Sequence, residues 1–101
     1  METDSFQRFV ILLTVDPSVE TTPALIRAHV KFLRDLDAAG KMVLCGPFTD
    51  YRGGMVIIKA ENRSAADEIA KSDPFVRSGA RSYELRTWQL SNEENNHLGR
   101  G

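Results

Sequence analysis

The sequence predicts a small α+β domain whose elements run strand–helix–strand–strand–helix–strand. Three observations predict it. Four runs rich in apolar and β-branched residues, at 6–15, 41–48, 55–60 and 80–90, read as strands. Two stretches between them open on helix-starting residues, at Thr22-Pro23 and at Ser64. Turn-forming residues punctuate the chain at Asp16-Pro17, Gly53-Gly54 and Asp73-Pro74. The 101 residues suffice for one hydrophobic core and leave no room for a second.

Each element has its own local reason. Residues 6–15 carry Phe9, Val10, Ile11 and Val15, and Asp16-Pro17 closes the strand. Thr22 is a good N-cap and Pro23 suits the first helical position, so a helix starts there. It runs to residue 39, with Gly40 placed as the C′ residue. Residues 41–48 form the second strand, 50–54 a hairpin loop in which Gly53-Gly54 supply positive φ, and 55–60 the third. Ser64 is expected to cap a second helix, with Asp67 three residues on as a weak capping box. That helix stops at Ser72, because a residue before proline is steered out of the helical region. Residues 74–78 allow one short turn before Gly79, and 80–90 form the last strand. The order is that of a ferredoxin-like βαββαβ domain, with a four-stranded antiparallel sheet. The domain spans 1–90, and 91–101 is a polar tail without periodicity, expected to be mobile.

The first strand is apolar on both faces: Phe9, Ile11, Leu13 and Val15 on one side, Val10 and Leu12 on the other. Met55, Val56, Ile57 and Ile58 repeat the pattern. A sheet with one wet face should alternate apolar and polar residues. Two helices cover one face only, so a second copy of the chain is expected on the other.

Composition excludes several classes. Thirteen basic against fourteen acidic residues leave a net charge of −1, without the basic footprint of a nucleic-acid binder. No apolar run approaches the ~20 residues that cross a bilayer, and the polar, acidic start lacks a signal-peptide pattern. The one cysteine, Cys45, builds neither an internal disulfide nor a zinc site. No metal or cofactor is expected, and the cytoplasm is the expected compartment.

Candidate chemistry sits at few positions. On a helical wheel His29 falls within the apolar stripe of Leu25, Phe32, Leu33 and Leu36, opposite Arg27, Lys31 and Arg34. An imidazole there is either a hydrogen-bonded core residue or an acid–base group aimed at a pocket, and taken alone the first reading is the commoner. Asp73 is either the N-cap of a turn begun by Pro74 or a carboxylate that orients His29. Gly46, before Pro47, marks either a bulge or the approach of a ligand. Gly53-Gly54 lacks the spacing of a phosphate loop. Cys45 reads as a small buried hydrophobe and His97 as a tail residue. Arg52, at the hairpin tip, is either solvated or a contact for an anion. Tyr83, Glu84 and Arg86 alternate along the last strand without revealing which faces a pocket.

Taken together, these residues resemble the YciI-like (YCII-related) family. The resemblance rests on His29 within Arg27-Ala28-His29-Val30-Lys31-Phe32-Leu33, on Ala39-Gly40-Lys41 with Cys45-Gly46-Pro47-Phe48, and on Gly53-Gly54-Met55-Val56-Ile57. Ser72-Asp73-Pro74-Phe75 with Gly79 and Arg86-Thr87-Trp88 complete it, Thr87 standing where proline is commoner. It covers residues 6–90. It implies a dimeric α/β barrel and a His–Asp pair, His29 and Asp73, with Gly46, Pro47 and Phe75 against the substrate. It further implies a small-molecule enzyme using cofactor-independent acid–base chemistry of the lyase, isomerase or dehydrochlorinase type. The rival expectations are a non-catalytic small-molecule-binding dimer and a purely structural dimerisation domain.

Overall fold

The computed structural model describes residues 6–99; residues 1–5 and the end of the tail lie outside the described residues. Strand β1 (Gln7–Val15) lies in the middle of a four-stranded sheet, with β3 (Gly53–Ile58) on one side and β4 (Arg81–Gln89) on the other. Strand β2 (Met42–Pro47) pairs with β3 at the edge, and every neighbouring pair is antiparallel. Helix α1 (Pro23–Ala38) connects β1 to β2, and α2 (Arg63–Ser72) with the single turn α3 (Pro74–Arg77) connects β3 to β4. The chain is a ferredoxin-like α+β domain, in the element order the sequence predicts.

Register explains the core. Phe9 lies opposite Ile58, and Ile11 lies between Val56 and Leu85, so these side chains share one face. That face packs against Leu36 of α1 and against Ala66 and Ala70 of α2. Both alanines are fully buried, and their small side chains let α2 settle close to the sheet. Helix α1 begins where expected, the Thr22 hydroxyl accepting from the Leu25 N–H at 3.1 Å. It ends in a Schellman turn: Gly40 has φ +73°, Lys41 N–H donates to Leu36 C=O and Gly40 N–H to Asp37 C=O.

Three local expectations are corrected. Asn62, not Ser64, caps α2, its side-chain oxygen accepting from Ala65 N–H at 2.8 Å. Asp67 is therefore free of the cap and accepts instead from the Tyr83 hydroxyl at 2.6 Å, tying α2 to β4. That bond and Lys71 hold the Asp67 carboxyl below its ordinary pKa, and the same bond raises that of Tyr83. Gly53 and Gly54 are strand residues paired with Thr14 and Leu13, and neither has positive φ. They are glycines because strands approach too closely for a side chain. A Cβ on Gly53 would collide with the Leu13 carbonyl, and one on Gly54 would sit 2.8 Å from the Gly46 carbonyl oxygen. Finally, the irregularity in the β2–β3 ladder falls between Met42 and Leu44, not at Gly46.

The opposite face of the sheet carries Val10, Leu12, Met55 and Ile57, by the same alternation. Leu44 and Trp88, 66% and 45% exposed, flank this apolar strip. Beyond β4, Asn92 and Asn95 bond each other's backbone N–H groups, and the Asn95 amide donates to the Leu90 carbonyl. Residues Glu93–Gly99 form a kinked turn segment in which Asn96, His97 and Leu98 have positive φ.

Candidate active site

Helix periodicity carries His29 inward, as predicted, with its side chain only 13% exposed. Asp73 arrives from a different element. The break enforced by Pro74 leaves Asp73 extended, with φ −63° and ψ 125°, between α2 and α3. It is the buried charged residue of the core, at 2% exposure. Its Oδ1 accepts both the Phe75 N–H, at 2.9 Å, and His29 Nδ1, at 2.8 Å. One oxygen of Asp73 thus serves both as the cap acceptor and as the hydrogen-bond partner of His29.

This geometry fixes the tautomer. An ionised carboxylate only accepts, so Nδ1 carries the proton, and a neutral His29 presents a lone pair at Nε2. Nε2 makes no hydrogen bond among the described residues. The ring is held from the side as well: it stacks on Phe75 with centroids 3.9 Å apart and planes 10° from parallel. An imidazole so held has one nitrogen anchored, its plane set, and the other nitrogen available for proton transfer.

His29 and Phe75 open onto a cavity of about 460 Å³ between α1, α3 and the β2–β3 end of the sheet. That size suits a small molecule. Gly46 and Pro47 line it too, so four of the five sequence candidates meet there, and Asp73 stands behind His29. The walls are mostly apolar, with Leu13, Leu33 and Val56 among them. A Cβ added to Gly46 would meet no atom within 4 Å, so packing within the chain does not demand glycine there.

Two wall residues differ from expectation or escape it. Cys45, expected to be buried, is exposed and lines the cavity, because β2 is an edge strand with no neighbour beyond it. Arg81 was not singled out by its sequence surroundings, yet it lines the cavity with its guanidinium carbon 4.2 Å from the Phe75 centroid. Burial lowers the Arg81 pKa below its ordinary value, with Asp73 opposing and Arg52 reinforcing that shift. The available signal was alternation: Arg81 shares its strand face with Tyr83 and Leu85, both of which pack inward. The other candidates lie elsewhere. Glu84 and Arg86 pair with each other, Tyr83 is engaged by Asp67, and Arg52 and His97 are exposed. No cluster of three or more His, Cys, Asp or Glu able to hold a metal occurs among the described residues. None of their helices is long and apolar enough to cross a membrane.

Fold and cavity together define a ferredoxin-like domain with a histidine–carboxylate pair at an apolar pocket. The chain belongs to the YCII-related domain family, whose profile matches residues 7–89. The uncharacterized protein YjpA of Bacillus subtilis strain 168 is 35% identical over 65 residues, which span 64% of this chain and 76% of YjpA. Among solved structures, 5-chloro-2-hydroxyhydroquinone dehydrochlorinase of Burkholderia phenoliruptrix AC1100, in complex with 2,5-dihydroxybenzoquinone, is similar with TM-score 0.70 and 23% identity. The match covers 88% of this chain and 99% of that one. Muconolactone isomerase is similar with TM-score 0.63 and 13% identity, over 85% of this chain and 90% of that one. Both are likenesses of fold.

Proposed function

We propose that the chain is a small-molecule enzyme of lyase or isomerase type that works by proton transfer at His29. The observation that carries this reading is the 2.8 Å bond from His29 Nδ1 to buried Asp73, which leaves Nε2 unbonded beside an apolar cavity. Nε2 would take a proton from a carbon acid. Returning it to another carbon completes an isomerisation; departure of a leaving group with its bonding electrons completes an elimination. Asp73 stabilises the imidazolium that forms in between. A dehydrochlorinase and an isomerase on the same fold support this class of chemistry by analogy.

Solvent-exchange NMR tests the reading without a known substrate. The chain is incubated in D₂O with a panel of unsaturated carboxylates, lactones and hydroxylated aromatics. Enzyme-dependent replacement of a C–H by deuterium in at least one member is expected. Saturable binding of panel members with no exchange would instead make the chain a binding module.

The assembly we propose is a homodimer closed across the open sheet face. Support comes from Leu44 and Trp88, exposed on the sheet face that also carries the partly exposed Val10, Leu12 and Met55. Light scattering at micromolar concentration is expected to give about twice the 11.3 kDa chain mass. A concentration-independent monomer would remove the proposal.

A further inference from the structure

Arg81 is a half-buried cation on which Asp73 acts only from beyond contact distance. No carboxylate lies within ion-pair distance of it among the described residues. Its Nη1 donates to the Thr21 hydroxyl at 2.9 Å and to the Ala80 carbonyl at 3.0 Å, which uses both Nη1 hydrogens. Both acceptors are neutral. Nε and Nη2 make no hydrogen bond among the described residues. Those two nitrogens form the edge of a guanidinium that meets a carboxylate through two parallel bonds.

A purely structural role accounts for part of this, since the guanidinium sits over Phe75 and ties β4 to the segment before α1. It does not account for the two donors left over on a residue that lines a cavity of mostly apolar walls. His29 and Arg81 sandwich the Phe75 ring, one over each face, and both line the cavity, so a molecule that reaches both must pass the edge of that ring. Two charges act on Arg81 from a distance, the opposite charge of Asp73 more strongly and the like charge of Arg52 less.

We propose that the cavity takes a small organic carboxylate with an apolar body, its carboxylate gripped by Nε and Nη2 of Arg81. Arg81 is then the residue that sets substrate class, and its grip presents the body of the molecule to His29 Nε2. The proposal rests on the reading of this cavity as the substrate site.

Benzoate and its neutral counterpart benzamide are the probes, titrated into the full chain and followed by the ring resonances of His29 and Phe75. Benzoate is expected to bind saturably, and at least about 10-fold more tightly than benzamide, since a charge-assisted bidentate contact is worth roughly that factor or more. Arg81→Gln should lose that preference, its benzoate affinity falling at least about 10-fold more than its benzamide affinity. Arg81→Lys should fall between, keeping a point charge without the fork. Equal binding of the two probes by the unaltered chain overturns the proposal, as does absence of saturable benzoate binding; neither outcome depends on a variant folding. Unchanged benzoate affinity in folded Arg81→Gln overturns it equally. The two proposals fail separately: Arg81-dependent benzoate binding without deuterium exchange keeps the carboxylate site and removes catalysis. Exchange on neutral panel members with no preference for benzoate does the reverse.

Discussion

Replacing His29 with asparagine is expected to lower the deuterium-exchange rate by about 10²–10⁴-fold, the usual contribution of a positioned acid–base group. Ligand affinity should change little. Asparagine retains an N–H for Asp73 Oδ1, so the buried carboxylate keeps a second donor besides Phe75 N–H. Leucine keeps the bulk but not the donor, and leaves a 2%-exposed carboxylate with one partner fewer. His29→Leu should therefore cost about 1–3 kcal/mol of stability, the penalty of an unmade bond to a buried group. Exchange kinetics and a thermal melt of both variants separate the two effects. Undiminished exchange in folded His29→Asn would remove histidine from the chemistry.

Local rules made each partner a candidate with two readings, and the family resemblance singled the two out as a pair. A period of 3.6 turns position 29 inward with Leu25, Phe32 and Leu36, and proline at 74 sets the conformation of Asp73. Their meeting is another matter. They stand 44 residues apart, and only the packing of α1 against α3 over one sheet face joins them. No periodicity encodes that contact.

The errors share a physical origin. Gly53-Gly54 looks the same in sequence whether glycine serves a positive φ or a close approach, and here the Leu13 and Gly46 carbonyls on neighbouring strands decide. Cys45 sits in a run as apolar as a central strand, but its burial depends on which strands flank β2, a property of the whole sheet. Asn62 and Ser64 are equally good caps by type, and the helix begins at the earlier. Arg81 hid because a charged residue in a strand reads as solvent-facing unless the phase of the strand is taken from Leu85.

Asp73 separates architecture from chemistry through two substitutions of similar size. Alanine removes the acceptor of both the Phe75 N–H and His29 Nδ1. Losing an N-cap costs about 0.5–2 kcal/mol, and a buried donor without a partner about 1–3 kcal/mol. Asp73→Ala should therefore destabilise the chain by about 2–4 kcal/mol. At ~4–8 °C per kcal/mol for a domain of this length, the melting temperature should fall by roughly 10 °C or more. Asparagine caps about as well as aspartate, and its side-chain oxygen still accepts both bonds, so Asp73→Asn should lie within about 1 kcal/mol of the unaltered chain. What asparagine lacks is the charge that stabilises imidazolium while His29 holds the abstracted proton. If the carboxylate serves only as a cap, Asp73→Asn leaves proton exchange intact. If it supports His29, exchange falls by at least about 10-fold in a protein that melts almost normally, since each factor of ten is only about 1.4 kcal/mol of transition-state stabilisation. Parallel melts and exchange rates for the two variants decide between these outcomes, and full exchange activity in Asp73→Asn would reduce Asp73 to a helix cap.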